Sequence, residues 1–331
     1  PAVGTATFLI EVIDVIHKTL NSKWQKEGKL DRDIQRLWND YVPTHLLPRL
    51  HGYELMMASY AIAHMKLPLK LQETGFTAWD KLSGTSRARI YLTNALEPAQ
   101  DFSDRLAFDA PALAHEAQSV NAVKQDQRFT VIIGNPPYSN YSANLSAEAR
   151  RIVDKYRSFR GLPIRERNQL QFERNIQDDF VKFVSVGQDI INAAGCGVFG
   201  YITSATMLGS RSLRGMRESL LGSFNKLYEL NLHGGVNEII EGVENDENVF
   251  DIAQSVAIHV YVRSKPRGTL SVHYADLTGR RLSKYYTLAS GSVERTAWQQ
   301  FAPDEDNCTF SHQDEDVGGR TRRLDSLFVK F

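Results

Sequence analysis

The sequence predicts an α/β fold: a mostly parallel sheet with an antiparallel last strand and helices on both faces. Three observations carry this. Short β-branched runs recur, such as Thr130-Val131-Ile132-Ile133 and Val256-Ala257-Ile258, and read as buried strands. Segments of helical periodicity separate most of them, and that alternation builds parallel sheets with right-handed crossovers. The last two predicted strands, 227–232 and 255–262, have no helix between them and are expected to pair antiparallel.

Each element follows in chain order. Pro1-Ala2-Val3-Gly4-Thr5 is a small-residue turn leading into a helix around 9–16. The chain starts at Pro1 without Met, inside what reads as a loop, so the sheet's first strand is expected to lie before it. Residues 30–41 form a further helix. Residues 46–54 give a short strand ending in an acid, Glu54, followed by a helix over 56–65. Strands follow at 89–94 and 129–134, separated by an irregular stretch at 97–127. A polar, arginine-rich stretch runs to about 177, with Arg150, Arg151, Arg157, Arg160, Arg165, Arg167 and Arg174. A helix over 179–193 places Phe180, Phe183, Val184, Ile190 and Ile191 at helical spacing, and Gly195 ends it. A strand at 198–203, a helix near 212–221 and the last two strands complete the pattern. Beyond 266 the chain turns polar and its periodicity weakens. Two domains are therefore expected: a catalytic domain over 1–265, and a C-terminal extension or the start of a target-recognition region over 266–331.

Composition narrows the class. The 331 residues carry 39 basic and 39 acidic side chains, a formal net charge of zero, so any polyanion site must come from local clustering. The two cysteines, Cys196 and Cys308, are too few and too far apart for a disulfide scaffold and fit a reducing, cytoplasmic compartment. No apolar stretch reaches membrane-spanning length. No Cys/His group has metal-ligand spacing, and no phosphate loop of the NTPase type is present.

The most specific motif is Asn135-Pro136-Pro137-Tyr138, directly after the strand that Gly134 closes. Open α/β sheets bind ligands at the carboxyl ends of their strands. Such a tetrapeptide arises by chance in on the order of one in a thousand chains of this length. The Asn135 amide oxygen and the carbonyl of the proline-rigid backbone are two fixed acceptors that suit an exocyclic amine. The Tyr138 ring offers a face on which a base can stack. Accepting both amine hydrogens stabilises positive charge building on that nitrogen as it attacks an electrophilic methyl group. The competing structural reading is a proline turn after a strand.

In these residues the chain resembles the DNA adenine-N6 methyltransferases, and within them the methyltransferase domain of large single-chain restriction-modification enzymes. The resemblance covers residues 1 to about 265. It implies a Rossmann-like sheet and S-adenosyl-L-methionine as cofactor. Cofactor binding would fall to Pro1, Ala2, Val3, Gly4 and Thr5 in the loop, to Glu54 at the ribose and to Asn94 at the adenine, where the family often has Asp. The catalytic residues implied are Asn135, Pro136, Pro137 and Tyr138, with Tyr138 and Phe250 stacking on either side of a flipped adenine. Double-stranded DNA is the implied partner, with nuclease and helicase domains on the same parent chain and no membrane. Against each role stands a plain one: Glu54 as a solvated acid, Asn94 as a turn residue, Phe250 as core and His233 as a loop histidine. The arginine-rich stretch reads either as phosphate contacts or as a surface laced with salt bridges to Glu148, Asp154, Glu166 and Glu173. Two other functions remain compatible: methyl transfer to RNA or to a protein glutamine, and a non-catalytic DNA-binding module of the same fold.

Overall fold

The computed structural model describes residues 1–82, 88–97, 120–124, 128–137, 142, 144 and 146–311. They divide into two compact units. The first holds residues 1–128, 132–137 and 144–149; the second holds 129–131, 138–143 and 150–331.

The first unit is built on a β–α–β element. Strands β1 (His51–Glu54) and β2 (Arg89–Leu92) are parallel and in register from His51–Arg89 to Glu54–Leu92, with helix α3 (Met57–Glu73) between them in sequence. Helix α1 (Thr7–Lys26) buries Leu9 and Ile13, and α2 (Asp31–Tyr41) buries Ile34 and Trp38. On α3, Ala63, Leu67 and Leu71 recur every four residues on the buried face. Apart from Ile34, these side chains form one apolar cluster with Val42, Leu46, Leu47, Phe76 and Ile90. Helix α3 runs eight residues past its expected end, through Pro68. A proline inside a helix removes one hydrogen bond, but buried leucines on either side of it hold the helix in place.

The second unit contains helices α5 (Gln169–Ile176), α6 (Asp179–Ala194), α7 (Thr206–Gly209), α8 (Arg214–Ser223) and α9 (Arg281–Ser290), after a short α4 at Ala147–Arg151. The larger sheet has the order β10-β9-β7-β8-β6-β3, and of its strands β3 belongs to the second unit only at Val131. The strands are β3 (Val131–Gly134), β6 (Gly197–Ser204), β7 (Lys226–His233), β8 (Val256–Arg263), β9 (Ser271–Asp276) and β10 (Gln299–Phe301). A small hairpin of β4 (Ser158–Phe159) and β5 (Leu162–Pro163) stands apart. The start of β3 joins the sheet where Val198 N–H donates to Thr130 O at 2.7 Å.

The sheet is more mixed than the sequence suggested. Strand β8 pairs antiparallel with β7, as expected from the missing helix, and, beyond that expectation, with β6, and β9 with β10 is antiparallel too. Strand β7 pairs parallel with β9. Residues 271–276, expected to lie in an extension, therefore continue the main sheet. The core packs Phe199, Tyr201, Phe224 and Tyr261 together. Some of its polar groups are satisfied in place: His259 bridges Glu229 and Thr203, and Tyr261 OH donates to Glu229 at 2.7 Å, whereas the Tyr201 hydroxyl has no partner among the described residues. Burial without such partners would be destabilising.

Candidate functional site

The residues read as a cofactor loop come together with Glu54. In the loop Ala2, Gly4 and Ala6 all adopt positive φ, at 52°, 58° and 65°. Left-handed backbone at alternate positions coils the loop tightly, and the Val3, Gly4 and Ala6 N–H groups are taken up by Tyr53 O, the Glu54 carboxylate and Val3 O. A Cβ added at Gly4 would meet open space, so the loop can be approached closely there. Val3 N–H donates to Tyr53 O at 2.8 Å and lays the loop against the end of β1.

Glu54, 8% exposed at the carboxyl end of β1, ties two loops together. One carboxylate oxygen accepts from Gly4 N–H at 2.7 Å and the other from Met56 N–H at 2.9 Å. Each oxygen keeps a second lone pair, so the acid can still receive hydroxyl groups of a diol. The solvated-acid reading does not hold, because the side chain is buried and doubly engaged.

Asn94 is held more tightly than a free ligand contact would be. Its amide donates to Asn144 Oδ1 at 2.9 Å and to Glu97 at 3.2 Å, and its oxygen accepts from Leu96 N–H at 3.0 Å. The sequence reading missed Lys124 beneath this turn. Its ammonium donates to Thr93 Oγ1, Asn94 O and Glu97 O at 3.2, 2.9 and 2.8 Å. Burial lowers its pKa to about 8, against the pull of Glu97. No local pattern marks Lys124, because its partners are some thirty residues earlier in the chain.

At the end of β3, Asn135 is half-buried, Pro136 buried and Pro137 exposed. The Asn135 side-chain oxygen is shielded from solvent and has no hydrogen-bond partner among the described residues. A buried acceptor left unpaired costs about 1–3 kcal/mol, so such an atom calls for an explanation. Tyr138 lies outside the described residues. Four positions further on, Ser142 hydroxyl donates to Asp179 at 2.5 Å and accepts from the buried Lys182 ammonium at 2.7 Å. The chain after the tetrapeptide is thereby fastened to α6. The loop 1–5, Glu54, Asn94 and Asn135 all belong to the first unit, whereas Phe250 belongs to the second.

Phe250 packs at the edge of a cluster of Leu232, Val249 and Val256 and also lines a cleft of about 690 Å³ with Gly234, Asn248 and Arg281. His233 is held between two carboxylates, with Nδ1 2.7 Å from Glu238 and Nε2 2.6 Å from Asp276. Burial alone would lower its pKa, but the hydrogen bonds to Asp276 and Glu238 outweigh this and raise it to about 9. Of the arginines, Arg157 pairs with Asp154 and Glu173. Arg150, Arg151, Arg165 and Arg167 are exposed.

The first unit therefore carries a small-residue loop pinned to the acid at the end of β1 and, at the end of β3, the buried Asn135 oxygen. Residues 49–233 match the Eco57I restriction-modification methylase family, and the chain belongs to that family. No curated protein matches the chain. Among solved structures, it resembles the ATP-dependent Type ISP restriction-modification enzyme LlaBIII bound to DNA, with a TM-score of 0.67 and 22% identity over 96% of this chain and 20% of that one. A nuclease-deletion mutant of the Type ISP enzyme LlaGI with a DNA substrate mimic gives a TM-score of 0.70 and 23% identity, covering 96% and 25%. The DrdV–DNA complex gives a TM-score of 0.67 and 21% identity, covering 96% and 28%. At these identities the likeness is one of fold. The chain spans between a fifth and three tenths of the length of those proteins. Among the described residues no helix is long and apolar enough to cross a membrane.

Proposed function

We propose that this restriction-modification methylase is an adenine-N6 methyltransferase acting on double-stranded DNA with S-adenosyl-L-methionine. The observation that carries the reading is the Asn135 oxygen, a buried acceptor at the carboxyl end of β3 with no partner among the described residues. It is the atom that an exocyclic amine would satisfy. The residues present fit the cofactor: backbone of Pro1 to Thr5 on its polar end, Glu54 on its ribose hydroxyls, the turn at Asn94 beside its base. When bound, the cofactor supplies an electrophilic methyl group on a sulfonium.

The chain's own residues supply position and charge. Asn135 and the Pro136 carbonyl accept the two amine hydrogens, which orients the nitrogen and stabilises its developing positive charge. The target base must leave the duplex to reach them, at a cost of a few kcal/mol. Stacking on Tyr138 and Phe250 offsets that cost. The natural setting of this chemistry is a cytoplasmic restriction-modification protein whose nuclease and helicase parts share the polypeptide, as the fold likeness to Type ISP enzymes supports.

Asn135→Ala in the full-length protein tests the reading. Methyl transfer to duplex DNA should be lost while cofactor affinity stays within about tenfold, or about 1.4 kcal/mol. Retained transfer would remove Asn135 from the mechanism. Parallel assays with RNA and with a glutamine-containing protein separate the alternative acceptors, since transfer confined to either would replace the DNA assignment. Absence of transfer to all three, with DNA still bound, would identify a non-catalytic binding module.

A further inference from the structure

We propose that Arg281, Lys284 and Tyr285 of helix α9 are positioning residues that fix the segment 246–251 and with it the height of the Phe250 ring. The inference rests on the reading of Phe250 as a base-stacking residue.

Residues 246–251 have no regular secondary structure, so their carbonyls need partners from elsewhere. Four consecutive carbonyls find them on one helix. Lys284 Nζ donates to Glu247 O at 2.8 Å, Arg281 Nε to Asn248 O at 2.6 Å, Tyr285 OH to Val249 O at 2.6 Å and Arg281 Nη2 to Phe250 O at 3.2 Å. The flanking acids are gripped by the same side chains. Asp246 accepts from Lys284 at 2.8 Å, and Asp251 from Arg281 at 2.7 Å. Main chain completes the clasp: Gly279 N–H donates to Asp246, Arg281 N–H to Glu247 and Glu247 N–H to Gly279 O.

Lys284 is fully buried and also donates to Leu232 O at 2.7 Å, near the end of β7. It therefore locks the segment to the sheet as well as to the helix. On the opposite side, Gly234 lets the segment approach, since a Cβ there would stand 2.3 Å from Asn248 Cα. A plain surface helix has no use for this set of bonds. The backbone at Phe250 is fixed on both flanks while the ring reaches the cleft, which is what a stacking residue requires, because a displacement of about 1 Å can cost on the order of a hundredfold in rate.

The test compares Arg281→Ala, Tyr285→Phe and Phe250→Ala in the full-length protein. Tyr285 is 45% exposed, so Tyr285→Phe removes one hydroxyl without opening the core. Hydrogen exchange at the amides of Glu247 and Phe250 should quicken about tenfold in both α9 variants while β8 amides stay protected. DNA methylation by the same variants should show kcat lower by about tenfold, with KM for S-adenosyl-L-methionine within about twofold. Unchanged exchange in both variants overturns the clasp. Faster exchange with wild-type kcat, where Phe250→Ala is slow, overturns its link to the ring. If Phe250→Ala is itself as fast as wild type, the base-stacking reading fails and the link with it.

Discussion

At the scale of single residues, two polar groups in the first unit stand out by opposite circumstances. Asn135 presents an oxygen without a partner among the described residues, while Glu54 has both oxygens engaged by backbone N–H groups. A mutation at each therefore reads differently. Asn135→Ala removes an unsatisfied acceptor and should cost little stability, so any loss of activity is chemical. Glu54→Gln keeps the shape but turns one acceptor into a donor that faces an N–H. The substitution should destabilise the first unit by about 1–3 kcal/mol and weaken cofactor binding by loosening Gly4. Calorimetric titration with S-adenosyl-L-methionine beside thermal unfolding checks this; a Glu54→Gln protein with wild-type affinity and stability would show that the carboxylate does not organise the loop.

At the scale of elements, the pair around His233 makes a pH prediction. Its folded pKa of about 9 lies above the ordinary 6.5, so its contribution is fully present below pH 6.5 and is lost as pH rises through 9. Burial would raise the Glu238 pKa, but hydrogen bonds from His233 and Ser255 lower it to about 2, so that contribution is present above pH 4.5 and lost as pH falls toward 2. Asp276 and Glu238 together hold the charged form of His233 by about 3 kcal/mol, the raised pKa being shared between them. The stability gap between wild type and His233→Gln should therefore be widest near pH 6 and shrink by pH 9.5, as measured by denaturant titration; a constant gap would remove the charge from the account. Much of this architecture is legible in sequence. Helix α6 and strands β6, β7 and β8 sit within two residues of their expected limits, because burial on the inner face imposes a clear period. Strand β9 was missed, since Ser271-Val272-His273-Tyr274-Ala275-Asp276 alternates correctly but carries polar residues on its outer face, and half of its signal resembles loop. Helix α9 was missed for a related reason: its buried contact is made by a lysine, which no hydrophobic pattern counts. The tetrapeptide and Glu54 were visible as motifs, whereas Lys124 and the α9 clasp were not, because their partners are distant in sequence.

At the scale of the whole molecule, charge decides how DNA would be reached. The formal net charge is zero, so no long-range field draws a polyanion toward the surface as a whole. Attraction must come from a local cluster of unneutralised cations. The arginine-rich stretch divides on this criterion. Arg157 is neutralised by Asp154 and Glu173, and Arg214 from α8 is paired to Glu166, whereas Arg150, Arg151, Arg165 and Arg167 are exposed. If those four each contact one phosphate, they account for a slope of about −3.6 in the logarithm of affinity against the logarithm of salt concentration. Replacing all four by Gln should flatten the measured slope for non-specific duplex DNA by about 3 to 4. Replacing Arg157 alone should leave the slope in place and instead lower thermal stability slightly, by at most about 1 kcal/mol, as expected of a partly exposed ion pair. A fourfold variant with an unchanged slope would assign the stretch to the protein's own surface and move the DNA contacts to other residues.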